Sequence, residues 1–317
     1  MTDTQTVSAN QLDENKFRDP DITADGKPRA KVTFRGLETL WFNTGTLCNL
    51  TCSNCYIESS PTNDSLVYLS AEEVGVYLDE IERDSLRVQE IGFTGGEPFM
   101  NKDIIAMMTD SLERGFRVLV LSNAMRPMMK LAEPLLDLRR RFGNQLIIRV
   151  SIDHYTEALH EFERGDRSWG PTLEGVKWLA QNGFTLHIAG RTCWRESEDA
   201  LRLGFARLFA DHNIPVDAHD TVSLVLFPEM DSAVDVPEIT VDCWELLGVN
   251  PRSLMCATSR MVIKHKGADS PVVTACTLVP HDLAFETGHS LAESSIDIKL
   301  NHPHCARFCV LGGASCG

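Results

Sequence analysis

Three cysteines stand close together near the start of the chain, in the pattern Cys48-x3-Cys52-x2-Cys55. Thiolates at this spacing can reach one iron–sulfur cluster from a single loop, and three ligands to four irons leave one iron open to a small chelating ligand. The same positions would also share one face of a helix. The residues between them are polar, however, and a zinc site usually takes two pairs of Cys or His ligands. The pattern therefore predicts a four-iron cluster held by a loop.

A second motif, Gly95-Gly96-Glu97-Pro98, follows a run of residues typical of a buried strand. Glycines allow a backbone to come close to a ligand because they carry no Cβ atom. The carboxylate of Glu97 can accept hydrogen bonds from an ammonium group. Alone, the motif would be an ordinary turn between a strand and a helix. Behind the cysteine loop, it predicts part of a ligand site.

Six of the ten cysteines lie in the last 75 residues, and Cys193 stands between the two groups. The six are Cys243, Cys256, Cys276, Cys305, Cys309 and Cys316. In a reducing compartment such cysteines bind metal more often than they form disulfides, so they predict a second metal site. We leave Cys243 out of it, because its apolar, helix-like surroundings are typical of a small core residue. A structural zinc site that includes His302 or His304 is the alternative.

The composition is that of an ordinary globular protein, with 43% hydrophobic and 24% charged residues among 317. Acidic residues outnumber Lys and Arg by 45 to 30, which gives a formal net charge of −15. Because binding to phosphates needs an excess of positive charge, this balance argues against nucleic acid and anionic membranes as partners. The N-terminus lacks the parts of a signal peptide, and no apolar run approaches the roughly 18 residues that span a bilayer. We therefore predict a cytoplasmic protein.

Apolar runs alternate with amphipathic stretches over residues 37–228, which predicts six strands separated by helices. The strands are predicted at 37–43, 88–94, 116–121, 146–152, 184–189 and 222–227. Five helices are predicted between these strands. The first begins at the capping-box residue Ser70, and the second ends at Gly115. The third covers 128–141, the fourth runs from Pro171, as its first helical residue, to Gly183, and the fifth covers 197–212. Strands this apolar are typical of a parallel sheet with helices outside. Since eight strand–helix units take about 250 residues, six units in this span predict a partial, open (β/α)6 barrel of TIM type.

The expected organisation has three parts. Residues 1–35 are polar and without periodicity, which predicts a flexible N-terminal arm or a loosely docked strap. Residues 36–232 form the partial barrel. Residues 233–317 consist of short segments rich in Cys and His, which predicts a small domain built partly around metal, with a hairpin around Gly267.

The cysteine loop after the first strand and the Gly-Gly-Glu-Pro turn after the second together resemble the radical S-adenosylmethionine (SAM) superfamily, over roughly residues 37–228. The resemblance implies a catalytic [4Fe–4S] cluster on the three cysteines, with SAM bound by the open iron and by Gly95, Gly96 and Glu97. It implies that an electron from the cluster cleaves SAM to methionine and a 5′-deoxyadenosyl radical, which abstracts a hydrogen atom from the substrate. A flavodoxin- or ferredoxin-like protein is the implied electron donor.

Further residues fit this resemblance at the ends of later strands. Ser122-Asn123 resembles a family turn after the third strand, and Ser151-x-Asp153 resembles the ribose-binding pattern after the fourth. Arg191, after the fifth, stands where a cation often meets the SAM carboxylate. The alternatives are that Asp153 is a helix N-cap and that Arg191 is a surface charge.

Two further comparisons with the family concern single positions. His160 with Arg164-Gly165 resembles a family motif, although Glu161 stands in place of an Asp. The aromatic residue that the family usually has before the third cysteine is Asn54 here, and Tyr56 follows the cysteine instead. The residue that packs on adenine is therefore left unassigned.

The tail resembles the SPASM/twitch extension, which carries auxiliary [4Fe–4S] clusters. Its spacings are looser than the full SPASM pattern, which favours one auxiliary cluster over two. The implied ligands are Cys256, Cys276, Cys309 and Cys316, with Cys305 as a contested one.

The resemblance implies an enzyme with an oxidative outcome, in natural-product or cofactor biosynthesis. About 35 residues precede the first strand, too few for a separate leader-binding domain, so we expect a small-molecule substrate or a peptide. The alternatives are a peptide or protein maturase that works with a separate carrier, and a non-catalytic iron–sulfur electron carrier or scaffold. The Gly-Gly-Glu-Pro and Ser-x-Asp patterns argue against the last, since a carrier has no use for SAM.

Overall fold

The computed structural model describes residues 11–229 and 231–313, so Cys316 lies outside the described residues. Within these ranges the strands are β1 (Lys31–Val32), β2 (Thr39–Asn43), β3 (Glu90–Thr94), β4 (Arg117–Ser122), β5 (Leu146–Ser151), β6 (Thr185–Arg191), β7 (Leu224–Phe227), β8 (Ser259–Ile263), β9 (Val272–Thr274), β10 (Glu286–Gly288) and β11 (Ile298–Lys299). The α-helices are α1 (Ala71–Arg83), α2 (Ile104–Glu113), α3 (Arg126–Met129), α4 (Ala132–Phe142), α5 (Glu157–Arg164), α6 (Trp169–Gln181), α7 (Glu198–His212) and α8 (Cys243–Leu247). None of these helices is both long and apolar enough to cross a bilayer.

Strands β2 to β7 form a parallel sheet in chain order, with helices between them, which confirms the predicted partial barrel. Both faces of the sheet are buried. Leu40 and Phe42 of β2 pack among the helices outside, while Trp41 packs on the inner face. Trp41 lies opposite Gly92 of β3, where a Cβ atom would stand 2.3 Å from the indole ring. Burial on both faces explains why the strands are so apolar.

The helix starts follow the sequence signals with two differences. The capping box is present, because the Ser70 hydroxyl accepts from the Glu73 amide and the Glu73 carboxylate accepts from the Ser70 amide. The helix predicted over 128–141 is two helices, α3 and α4. The prediction that Pro171 is the first residue of its helix is wrong, since α6 begins at Trp169. Proline is tolerated there because the amides of the first turn have no partner within the helix.

The C-terminal region continues the barrel sheet. β8 pairs in parallel with β2, and β9 and β10 follow in antiparallel order, so the sheet runs β10-β9-β8-β2 and on to β7. The predicted hairpin is β8 and β9, and Gly267 in its turn has a positive φ of 83°. The cysteine-rich tail is therefore fixed to the barrel by main-chain hydrogen bonds.

Residues 11–35, which we call the strap, are docked on the tail, so of the two expectations for this segment the flexible arm does not hold for the described part. β1 pairs with β11, and Phe17, Ala30 and Val32 are buried in one core with tail residues. Arg29 is buried and forms an ion pair with Glu238. The isolated apolar residues of this polar segment gave no periodic signal, because their partners lie more than 200 residues away in the chain.

Candidate active site

A cavity of about 170 Å³ opens at the carboxyl ends of the parallel strands, where barrels of this kind place their ligands. All but one of the residues that the sequence predicted for the catalytic site line it. They are Cys48, Cys52, Cys55, Gly95, Gly96, Asn123, Ser151, Asp153 and Arg191. The exception is Glu97.

The three cysteines lie on a loop after β2, and residues 48–55 form no helix, so the helical alternative is wrong. The amide of Leu50 donates to Cys48 Sγ at 3.4 Å, and the amide of Ser59 donates to Cys55 Sγ at 3.3 Å. Burial raises the pKa of Cys48 to about 12 and also raises the pKa of Cys52. Buried thiols that already receive N–H donors suit ligands that a bound metal converts to thiolates.

The two glycines of the Gly-Gly-Glu-Pro turn serve the protein's own packing. A Cβ atom at Gly96 would stand 2.2 Å from the carbonyl oxygen of Leu47. Gly95 has a φ of 134°, and its Cβ would stand 2.6 Å from the carbonyl oxygen of Gly45. The backbone that comes close is therefore the segment leading into Cys48, which fixes the cysteine loop against the end of β3.

Glu97 is 1% exposed and does not line the cavity. Its carboxylate accepts from the Ser122 hydroxyl at 3.0 Å, from the Asn123 amide at 2.8 Å and from the Phe99 amide at 3.2 Å. Burial raises its pKa to about 7, against the lowering effect of these donors. Glu97 thus holds the end of β4, where Ser122 and the next residue, Asn123, line the cavity.

Asn123 joins this turn to the cysteine loop. Its side-chain amide donates to Asn49 Oδ1 at 2.9 Å and lies 3.9 Å from Cys48 Sγ. A continuous chain of contacts therefore runs from Glu97, after β3, through Asn123 to Cys48, the first predicted ligand of the cluster.

Asp153 and Arg191 both lie in buried ion pairs at the cavity wall. Asp153 Oδ2 is 2.6 Å from Arg164 Nε, and the N-cap of α5 is Thr156, so the N-cap alternative for Asp153 is wrong. Arg191 is 9% exposed and contacts Glu163 at 3.4 Å and Glu229 at 3.0 Å, so it is not a surface charge.

Helix α5 clamps the cysteine loop from the other side. The amide of Ser53 donates to the carbonyl oxygen of Glu163 at 2.8 Å, and Asn54 Nδ2 donates to Glu163 Oε1 at 2.9 Å. Asn54, which departs from the family pattern, therefore anchors the loop, while Tyr56 lines the cavity. Sequence reasoning missed Glu163 and also Arg149, which lines the cavity from β5. A charged residue inside the apolar run of β5 was the available signal for Arg149.

A second, smaller cavity of about 20 Å³ lies in the tail. Four of the five predicted tail ligands line it: Cys256, Cys276, Cys305 and Cys309. The last two come from a π-helix over Cys305–Leu311. Burial raises the pKa of Cys256 to about 11 and that of Cys305 to about 12.

Other candidates for metal binding fit less well. Cys193 and Cys243 line neither cavity. His304 lines the tail cavity, whereas His302 does not. Among the described residues, no three His, Cys, Asp or Glu side chains converge on a position for a single ion. Four tail cysteines instead share the lining of the smaller cavity.

Apolar side chains separate the two cavities. Leu278 lines both of them, and Phe308, between Cys305 and Cys309, lines the larger one. Met255, Leu278 and Phe308 form one small core, against which Tyr56 and Phe227 pack. The two groups of cysteines are thus one apolar layer apart.

Comparison with known proteins agrees with this geometry. Residues 42–198 match the model of the radical SAM superfamily. The chain is 27% identical over 143 residues to the subtilosin biosynthesis protein AlbA of Bacillus subtilis, and 25% identical over 141 residues to the Fe-coproporphyrin III synthase of Methanosarcina barkeri. These segments are 45% and 44% of this chain but 30% and 33% of those relatives, so the chain matches about a third of their length.

Solved structures share the fold at low sequence identity. SuiB of Streptococcus suis, bound to its precursor peptide SuiA, has a TM-score of 0.60 at 12% identity, covering 84% of this chain and 66% of that one. The anSMEcpe structure with bound AdoMet has a TM-score of 0.55 at 11% identity, covering 81% and 79%. The matched family model and the cysteine loop at the mouth of a partial barrel lead to one conclusion: the chain carries a radical SAM domain over residues 42–198.

Proposed function

We propose that this protein is an enzyme that cleaves SAM reductively and uses the resulting 5′-deoxyadenosyl radical to abstract a hydrogen atom from a peptide, with an oxidative outcome. The observation that carries the proposal is the convergence of three loop cysteines, Asn123, Asp153 and Arg191 on one cavity. Radical SAM proteins use a [4Fe–4S] cluster and SAM, and these are the cofactors for this cavity. When bound, the cluster supplies the electron that splits SAM.

The residues present fit these cofactors. Cys48, Cys52 and Cys55 would hold the cluster, since all three are at the cavity wall and two receive N–H donors. The proposed acceptor for the SAM ammonium group is the carboxylate of Glu97, held by three donors behind that wall. Arg191 would meet the SAM carboxylate.

We assign the ribose of SAM to the carboxyl end of β5. Ser151 and Asp153 line the same cavity, and Arg164 fixes the orientation of the Asp153 carboxylate. Asn54 stands where the family usually has an aromatic residue, and the aromatic ring at the cavity wall is that of Tyr56. We assign the adenine contact to Tyr56.

The substrate would lie against the apolar layer that includes Phe227, Leu278 and Phe308. A peptide is supported by the likeness to AlbA, a bacteriocin biosynthesis protein, and to SuiB with its precursor peptide. The small molecule that the sequence also allowed is the competing outcome of any substrate search.

The tail would hold an auxiliary [4Fe–4S] cluster on Cys256, Cys276, Cys305 and Cys309, within the proposed domain of residues 233–317. Its separation from the catalytic cavity by one apolar layer suits an acceptor for the electron left after hydrogen abstraction. Electrons for SAM cleavage would come from a flavodoxin- or ferredoxin-like donor.

The test is anaerobic. Protein reconstituted with iron and sulfide is given dithionite and SAM, and 5′-deoxyadenosine is measured by mass spectrometry. We expect product that disappears in the Cys52→Ala variant. An iron-loaded protein that binds SAM but yields no product, with or without candidate peptides, would favour an electron carrier. A protein that takes up no iron would refute the proposal.

A further inference from the structure

Arg260 lies fully buried beneath the tail cysteines, with 0% of its surface exposed. Its guanidinium donates to four carbonyl oxygens: Nη1 to Cys256 and Ser259 at 2.7 Å, Nε to Ser294 at 2.8 Å, and Nη2 to Ile296 at 2.7 Å. Every one of these acceptors is a neutral backbone group. The donors of Arg260 are therefore satisfied, but its charge is not balanced by them.

Three other arginines with little exposed surface are paired with carboxylates. Arg29 contacts Glu238, Arg164 contacts Asp153, and Arg191 contacts Glu163. For Arg260 no ion pair with a carboxylate is found among the described residues. A buried charge without a counter-charge is strongly unfavourable.

The charge of Asp297 acts on Arg260, but Asp297 forms its ion pair with another residue. Asp297 is about one-third exposed, and its carboxylate is 3.0 Å from Lys31 Nζ. The guanidinium lies over the Phe34 ring, with Cζ 4.3 Å from the ring centroid, and this contact attracts the charge without neutralising it. Arg260 also holds the Cys256 carbonyl directly, so its position is fixed relative to that predicted ligand.

Metal binding would supply the missing counter-charge. A cluster binds its cysteines as thiolates, and four thiolates give the centre a net negative charge. We propose that Arg260 is the buried counter-ion of an anionic, thiolate-ligated cluster in the tail cavity and that it raises the reduction potential of that cluster. The inference rests on the proposed auxiliary cluster. A fixed positive charge stabilises the reduced cluster, which carries one more negative charge, more than the oxidised one.

The experiment compares Arg260→Gln, which removes the charge, with Arg260→Lys, which keeps it but loses the planar set of donors. Both are made in the Cys52→Ala protein, so that the tail cluster is the one observed. Each protein is reconstituted without oxygen, its iron is counted, and its midpoint potential is measured by redox titration with electron paramagnetic resonance. We expect a lower potential in Arg260→Gln and a potential close to that of the parent in Arg260→Lys.

A loaded Arg260→Gln protein with an unchanged potential would overturn the inference. If that variant holds no iron, the iron-free proteins are compared by urea unfolding. A stable iron-free Arg260→Gln protein, beside an Arg260→Lys protein that keeps its iron, supports the counter-ion role. Equal loss of stability in both iron-free variants assigns Arg260 a merely structural role. A Cys52→Ala parent with no cluster refutes the auxiliary cluster itself, and that result is distinct from the others.

Discussion

The two cysteine sites are assembled in opposite ways. The catalytic loop takes its three cysteines from eight consecutive residues, and the adjacent ends of β3, β4 and β5 complete the cavity. The tail site takes its cysteines from three separate segments between Cys256 and Cys309, and the strap packs into the same core. The cysteines of the first site thus come from one barrel loop, whereas those of the second come from distant tail segments that share a core with the strap.

The sites also balance charge differently. At the catalytic cavity Asp153, Arg164, Glu163 and Arg191 compensate one another within the protein. In the tail, Arg260 is left with neutral partners. The comparison teaches that these four charged side chains of the catalytic cavity are paired within the protein, whereas the buried charge of Arg260 meets neutral groups.

The largest effect should come from removing one ligand of each site. With two [4Fe–4S] clusters the protein holds about eight irons per chain. Cys52→Ala should lower this to about four and abolish formation of 5′-deoxyadenosine, whereas Cys276→Ala should lower it to about four and keep SAM cleavage. Iron analysis and mass spectrometry measure both, with Cys193→Ala, outside both cavities, as the control. Loss of all iron in either variant would contradict independent assembly.

The strap should matter for the tail site alone. Glu238→Gln leaves Arg29 buried without a counter-charge, which costs about 3–5 kcal/mol when a buried pair is broken. We expect urea unfolding at lower concentration and loss of the tail iron, with the catalytic iron retained. Asp64→Asn is the matched control, because its pair with Lys266 is exposed and is worth less than about 1 kcal/mol. Equal effects of the two substitutions would show that the strap contributes little.

The third prediction concerns Glu97, the predicted SAM ligand that the cavity wall does not include. In Glu97→Gln, the side-chain NH2 group would face donors whose hydrogen bonds the carboxylate now accepts, so one of these bonds would be lost. The ammonium group of SAM would also lose a negatively charged partner. Two such losses of about 1 kcal/mol or more each correspond to SAM binding weaker by about 10–100-fold. Equilibrium dialysis with labelled SAM measures this, and iron content should stay unchanged.

Glu229→Gln is the control for that measurement. Glu229 pairs with Arg191 but is 38% exposed, so its loss should weaken SAM binding only a few-fold. If both variants bind SAM as the parent does, Glu97 holds the turn and does not bind the ligand.

The same contrast between local and distant assembly explains what could be predicted from the sequence. The six parallel strands, the capping box at Ser70 and the hairpin around Gly267 depend on short patterns, and all are confirmed. The sequence left a flexible arm and a docked strap open for the N-terminal segment, because Phe17 and Val32 find their apolar partners in the distant tail. Contacts across such a separation leave no periodic trace in the sequence.

The candidate sites show the same limit. Cysteine spacing indicated Cys48, Cys52 and Cys55, and all three line one cavity. It did not indicate Glu163, which becomes important because α5 lies beside the cysteine loop. It did not indicate Arg260 either, because the role of Arg260 depends on its having neutral hydrogen-bond partners in the folded protein. A charged residue in an apolar run is visible in the sequence, but its partner is a property of the fold.

The smallest expected effect is a dependence of stability on pH that originates near the catalytic site. His160 on α5 is 0% exposed, neither ring nitrogen has a hydrogen-bond partner, and burial lowers its pKa to about 4. In the unfolded chain it titrates near its ordinary value of 6.5. Between these values the unfolded state binds more protons, so stability is full above about pH 6.5 and falls as the pH decreases towards 4.

His160→Leu should remove this contribution and make the pH dependence shallower by about 1–2 kcal/mol between pH 7 and pH 5. Urea unfolding of the iron-free proteins at several pH values measures it, because acid release of the clusters then plays no part. His219→Leu, at an exposed position, should leave the profile unchanged. A profile equally steep in His160→Leu would mean that other buried groups, such as His187, whose pKa burial also lowers to about 4, control the acid sensitivity of the barrel. In that case the helix that clamps the cysteine loop would not be the acid-sensitive element of the fold.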